Sequence, residues 1–134
     1  MPLPAGQRSR IQALRLELLD LHKLLLDRER GLYEKSHEAI GSPGEFLSLV
    51  LNHPQFEWLR QLSGVIVELD ELLSLRTKSG PEEAAAVLAT VEPMLRLKED
   101  GTDFERRYFA AIQDSPGVVI AHCKAEKLLA AARL

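Results

Sequence analysis

Apolar residues recur at helical spacing over most of the chain, and the clearest pattern lies between Ser42 and Leu75. From Pro54 onward the apolar positions alternate steps of four and three residues, which places them on one face of a helix. The seam consists of Trp58, Leu62, Val65, Leu69 and Leu72, flanked by Leu59, Ile66 and Leu73. Phe56 and Val67 fall on the polar side. The pattern predicts a core-facing helix from Pro54 to about Thr77.

The segment Phe46–Leu51 is apolar nearly all round, and a short helix of that kind has to be buried or covered by a partner. Ser42 is placed to cap its first turn, with Glu45 completing a capping box. The residues around Pro54 repeat the same signal, so we predict that they divide the second helix into a short and a long piece.

A long first helix is predicted from Gln7 to His37, after a flexible arm over residues 1–6. Its seam consists of Ile11, Leu14, Leu18, Leu21, Leu25 and Leu32. Gly41 is expected to end this helix.

Three further helical segments are predicted after Ser79. The first has an apolar side and carries Pro93 on its opposite side, where proline can bend a helix without ending it. The second runs from Phe104 to Gln113, and the last starts at Ser115-Pro116. The expected inner face of the last helix comprises Val119, His122, Cys123, Glu126, Leu129 and Ala130.

No segment alternates at a period of two residues, so the chain is predicted to be all-α and a single domain over residues 1–134. Short connections between long amphipathic helices favour antiparallel neighbours. We therefore expect an up-down four-helix-bundle-like fold, with its second and fourth arms broken at Pro54 and Pro116. An irregular orthogonal packing of five or six helices is the alternative.

Composition excludes several classes of function. The net charge is −3, and basic residues alternate with acidic ones instead of forming one basic face, which argues against nucleic acid as a partner. A single cysteine, Cys123, allows no internal disulfide and was interpreted as an inert core residue. No stretch approaches the roughly 20 apolar residues that span a bilayer. We expect a cytoplasmic protein without membrane contact.

Polar residues on apolar faces are the main candidates for a site. In the first helix they recur every seven residues, close to two helical turns, at Arg15, His22, Glu29 and Ser36. In the last helix His122 and Glu126 lie one turn apart on the predicted seam. If the two helices are neighbours, two histidines and two glutamates could converge in the core.

Two interpretations of these residues stay open. They can pair with one another or with arginines such as Arg76 and Arg133, as buried charges usually do. Alternatively, imidazole and carboxylate groups between bundle helices can bind zinc, iron or manganese. The chain holds one Glu-x-x-His pair, Glu34 to His37, whereas two-iron bundles need more. We therefore assign no metal, no cofactor and no catalytic residue.

Several short motifs are spread along most of the chain: His22-Lys23, Asp27-Arg28-Glu29-Arg30, Tyr33-Glu34, Ser42-Pro43-Gly44, His53-Pro54, Phe56-x-Trp58-Leu59, Tyr108 and Val119-x-x-His122. Together they resemble a family of small bacterial proteins that lacks an assigned function. The resemblance implies a bacterial, cytosolic origin, and it carries no catalytic motif.

The first functional hypothesis is a non-enzymatic helical bundle that acts through self-association, as a homodimer, or through another protein partner. Apolar residues outside the main seams support it, because several of them on long helices can form an association surface. These residues are Leu16, Leu24, Phe56, Val67 and Leu128, together with the apolar segment Phe46–Leu51. The second hypothesis is a bundle that binds a metal or a small ligand through the His/Glu residues.

The predicted seam can be tested at Leu69. Replacing it with Ala should lower the free energy of unfolding by about 2–5 kcal/mol, because the change opens a cavity in the core. Chemical denaturation measures this difference. A loss below about 0.5 kcal/mol, the range of surface substitutions, would show that the opposite face of the helix is buried.

Overall fold

The structure is a computed structural model that describes residues 2–74 and 79–133, and within these ranges it contains helices and no β-strand. The elements are α1 (Ala5–Ser36), α2 (Pro43–Asn52), a 3₁₀ helix (Pro54–Leu59), α3 (Arg60–Leu73), α4 (Pro81–Met94), α5 (Asp103–Asp114) and α6 (Pro116–Ala132). The all-α prediction is confirmed.

Four helices close a bundle. Helix α1 packs against α3 and α6, and α4 packs against the same two helices from the other side. The second arm of the bundle is broken at Pro54 and the fourth at Pro116, as predicted. Helix α5 lies between α6 and the 3₁₀ helix, while α2 makes its main contact with the 3₁₀ helix. Helix α2 is therefore attached to the bundle mainly through the 3₁₀ helix, at the start of the second arm.

The side chains next to the breaks explain where the helices begin. The Ser42 hydroxyl accepts a hydrogen bond from the Glu45 amide at 3.1 Å, and Pro43 occupies the first turn of α2. At the next break, His53 Nδ1 accepts from the Gln55 amide at 3.1 Å. Each cap satisfies an amide that has no partner within its own helix.

The core follows the predicted seams. All five seam residues from Trp58 to Leu72 are buried, and Leu69 is completely enclosed. The buried residues of α1 that meet them are Ile11, Leu14, Leu18, Leu21 and Leu25. Leu32 lies beyond the covered part of α1 and is 39% exposed, so its assignment to the seam is wrong.

The second arm differs from prediction in its first turns. The residues after Pro54 form a 3₁₀ helix, and regular α-helix begins at Arg60. A 3₁₀ helix has three residues per turn, so Phe56 and Leu59 point to the same side. Phe56 is consequently buried, not on the polar side, whereas Val67 in α3 is exposed as predicted. The predicted end of this helix near Thr77 lies outside the described residues.

The inner face of α6 is rotated by about one residue from the predicted one. Small side chains dominate it, and its buried members are Val118, Ala121, His122, Ala125, Leu129 and Ala132. Cys123 is exposed, so its interpretation as a core cysteine is wrong, and the Glu126 side chain is 55% exposed. The alanines let α6 approach α1 closely, which decides the orientation of the helix.

The ends of two helices also depart from prediction. Helix α1 begins at Ala5 and Leu3 is buried, so the segment expected to be a flexible arm is partly packed. Helix α4 ends at Met94, directly after Pro93, which was expected to leave the helix intact.

Within the described ranges, no helix combines the length and the apolar character needed to cross a membrane.

Candidate functional site

The polar line of α1 faces α3 and the 3₁₀ helix. Arg15 Nη1 lies 3.8 Å from Asp70 Oδ1 on α3, and two turns earlier Arg8 donates to the Leu73 carbonyl at 2.6 Å. Two turns after His22, Glu29 contacts the 3₁₀ helix. The seven-residue spacing thus marks one edge of α1, along which polar groups bind the second arm.

Glu29 is the most deeply buried member of this line, at 3% exposure. Its Oε1 accepts a hydrogen bond from Trp58 Nε1 at 3.3 Å, and its Oε2 accepts from Gln55 Nε2 at 2.9 Å. Gln55 Nε2 also lies 3.1 Å from the Glu29 carbonyl. Because a buried indole N–H requires an acceptor, the Glu29 carboxylate fixes the 3₁₀ helix on α1.

Arg28 compensates the charge of this carboxylate. Its Nη1 lies 3.4 Å from Glu29 Oε1, and it binds both carboxylate oxygens of Asp114 at 2.8 and 2.7 Å. The hydrogen bond from Arg28 lowers the pKa of Asp114, and the same bond raises the pKa of Arg28. A bidentate pair of this kind is among the stronger ionic contacts in proteins. The buried carboxylate is therefore paired and fully hydrogen-bonded, as structural charges are.

His22 occupies the middle of this line, between Arg15 and Glu29. It forms no hydrogen bond and no ion pair within residues 2–74 and 79–133. Burial lowers its pKa, because a charged imidazole loses hydration in that position.

His122 belongs to a second polar chain that runs from the core to the surface. Its Nε2 contacts Glu126 Oε1, and its Nδ1 lies 2.6 Å from the hydroxyl of Tyr108 on α5. The carboxylate only accepts, so Nε2 carries the proton, and Nδ1 then accepts from the tyrosine. Glu126 also lines an open groove of about 490 Å³ between α4 and α6.

The order carboxylate, imidazole and hydroxyl resembles the arrangement that activates a nucleophile. Here the Tyr108 hydroxyl is enclosed, with 0% of the residue exposed, and burial together with the nearby charge of Glu126 raises its pKa. A hydroxyl that holds its proton more tightly and cannot reach solvent does not attack a bound substrate. The chain of contacts satisfies buried polar groups between α5 and α6.

The two polar sets do not meet. Helices α1 and α6 are neighbours, but the line of Arg15, His22 and Glu29 faces the second arm, whereas His122 faces α5. Within the described ranges, no group of three or more His, Cys, Asp or Glu side chains could hold a metal ion. The expected convergence of two histidines and two glutamates therefore does not occur there.

An uncovered apolar face lies on α2. The sequence pattern indicated that Phe46–Leu51 needs cover, but it did not show which side of the helix is exposed. We define the α2 face as Gly44, Leu47, Ser48 and Leu51, which are all exposed and share one side of the helix. Leu47 is 58% and Leu51 56% exposed, and none of the residues of α2 is buried. The helix buries none of its apolar side chains, although five of its ten residues are apolar.

The other side of α2 is held by aromatic contacts. Phe46 packs edge-on against Phe56 with ring centroids 5.9 Å apart, and the guanidinium of Arg30 lies 5.0 Å from the Phe46 ring. At the C-terminal end, Arg60 donates a hydrogen bond to the Leu51 carbonyl. These contacts orient α2 so that Leu47 and Leu51 point away from the bundle.

Comparisons of the chain with protein-family models, with curated proteins and with solved structures found no match.

The buried Tyr108–His122 contact can be tested with a conservative substitution. Tyr108→Phe should lower the free energy of unfolding by about 1–3 kcal/mol, because it leaves His122 Nδ1 without a donor in the core. Tyr33→Phe is the matched control, since the described residues offer no hydrogen-bond partner to the Tyr33 hydroxyl. Equal effects of the two substitutions in chemical denaturation would contradict a structural role for the contact.

His22 predicts a pH dependence of stability. Its folded-state pKa is lowered, so the unfolded chain binds the proton more readily. Its contribution to the free energy of unfolding should therefore be complete above the unfolded pKa near 6.5 and be lost as the pH falls through the folded value. Denaturation from pH 7.5 to about 5 should show a smaller decline for both His22→Leu and His22→Gln. Variants that keep the wild-type slope would contradict this assignment.

Proposed function

We propose that the protein acts without chemistry of its own, as a helical bundle that associates with a second copy of itself through the α2 face. The observation that carries the proposal is the exposure of Leu47 and Leu51 on a helix that buries no residue. Isolated helices of ten residues are marginal in water, so α2 needs packing to hold its shape. A partner that covers its leucines supplies that packing at about 25 cal/mol per Å² of apolar surface.

A second copy fits this face on grounds of symmetry and charge. A two-fold contact uses the same patch on both chains, so one apolar face is sufficient. Glu45 is the one charged residue in the sequence of α2, and it lies outside the α2 face. A face without charge avoids the repulsion that two identical charged patches would meet.

The size of the face sets the expected strength. A stable interface commonly buries about 800 Å² on each partner, which is more than one face of a ten-residue helix provides. We therefore expect a dimer that dissociates on dilution. Val67 on α3 and Ile120 on α6 are also exposed, and scattered exposed apolar residues are normal for a protein surface.

The proposal includes a bacterial cytoplasmic location, from the resemblance given above, and excludes nucleic acid as a partner, from the charge of −3.

The metal- or ligand-binding hypothesis has weaker support. It rests on the His122–Glu126 pair, which is already engaged by Tyr108.

Sedimentation velocity over a range of protein concentrations tests the proposal. The wild-type protein should shift from monomer to dimer as its concentration rises, whereas Leu47→Glu combined with Leu51→Glu should stay monomeric, because two charges then line the apolar face. Val67→Glu is the control, since it places the same charge on an equally exposed apolar residue of α3. A wild-type protein that is monomeric at every concentration would refute self-association.

A further inference from the structure

The α2 face alternates small and large side chains in an order that complements itself. Read along the helix, it presents Gly44, Leu47, Ser48 and Leu51, so small, large, small and large residues follow one another. A Cβ added at Gly44 would meet nothing within 4 Å. The glycine therefore leaves an open hollow on the surface instead of serving a contact inside the chain.

Two such helices match when they run in opposite directions. With a two-fold axis between Leu47 and Ser48, Leu51 of one chain lies opposite Gly44 of the other, and Leu47 lies opposite Ser48. Each large side chain then meets a small one, which is the condition for close packing of two helix surfaces. In a parallel pair in register, leucine would meet leucine and the glycines would face each other across a gap.

The ends of α2 favour the same direction. Glu45 lies in the first turn, and Arg60 binds the Leu51 carbonyl at the last turn. An antiparallel pair brings the first turn of each helix beside the last turn of the other, so that Glu45 approaches Arg60 of the second copy at both ends. The helix dipoles also oppose each other in this arrangement, which is the favourable orientation.

From this pattern we infer that two copies of the chain pair through antiparallel α2 helices, with each Leu51 seated on Gly44 of the other copy. The inference rests on the proposed function and adds the partner's orientation and register. It makes Gly44 a determinant of association although a side chain at this position would meet nothing within the chain.

Filling the hollow at Gly44 tests the register. Gly44→Leu should leave the monomer folded, because the position is open and leucine favours helix over glycine. It should weaken dimerisation by about tenfold or more, since the added side chain occupies the place of Leu51 from the second copy. Gly31→Leu is the matched control, because Gly31 in α1 is exposed and equally open. Circular dichroism checks the fold, and sedimentation measures the dimer.

Charge reversal tests the direction. Glu45→Lys and Arg60→Glu should each weaken the dimer, because each places like charges at both ends of the pair. Mixed in equal amounts, the two variants should associate with each other, since every lysine at position 45 then meets a glutamate at position 60 and the native pair forms at the other end. Size exclusion with one variant carrying a fluorescent label detects the mixed dimer.

The outcomes separate the inference from the proposed function. If Leu47→Glu with Leu51→Glu abolishes association but Gly44→Leu does not weaken it, the face is correct and the antiparallel register is overturned. Failure of the two charge variants to form a mixed dimer overturns the direction in the same way. If the wild-type protein never dimerises, both the inference and the proposed function are refuted. A dimer weakened at Gly44 but not at Gly31, and restored by mixing the charge variants, supports the inference.

Discussion

The burial of one leucine stripe on α1 between α3 and α6 sets where the other helices of the bundle can lie. From Ile11 to Leu25 this stripe is almost completely withdrawn from water, and α4 closes the bundle against the same two neighbours. Burial of apolar surface has no preferred direction, so it brings the helices together without choosing their register. The polar contacts at the edges of the stripe make that choice.

Two buried polar sets illustrate how the register is chosen. Glu29 holds the 3₁₀ helix through Trp58 and Gln55, and Tyr108 joins α5 to α6 through His122. Each buried donor or acceptor would cost free energy if its partner moved away, so small displacements of either helix are penalised. Glu29 and His122, which the sequence offered as candidates for a chemical site, are thus engaged in structural hydrogen bonds. The surface that the bundle leaves uncovered is apolar and lies on α2.

Helix α2 separates what stabilises the bundle from what is available to a partner. Its inner side is held by Phe46 against Phe56, while Leu47 and Leu51 are left in water. A face that contributes so little to the core is free to serve association, and the alternation of small and large residues gives it a shape as well as an apolar character. The proposed association uses surface that the bundle leaves uncovered.

Apolar periodicity and capping residues act locally, so the helices, their breaks at Pro54 and Pro116, and most of the core could be predicted from the amino-acid sequence. It also determined that Arg15, His22 and Glu29 share one edge of α1, since a seven-residue spacing nearly closes two turns. Which helix that edge faces depends on long-range packing, and in the fold it meets α3 and the 3₁₀ helix. The rotation of α6 is hard to predict, because the alanines at positions 121, 125 and 132 on its buried face carry little hydrophobic signal. Likewise, the local pattern indicated that the apolar segment Phe46–Leu51 needs to be covered. Whether the bundle covers it depends on contacts between residues far apart in the chain.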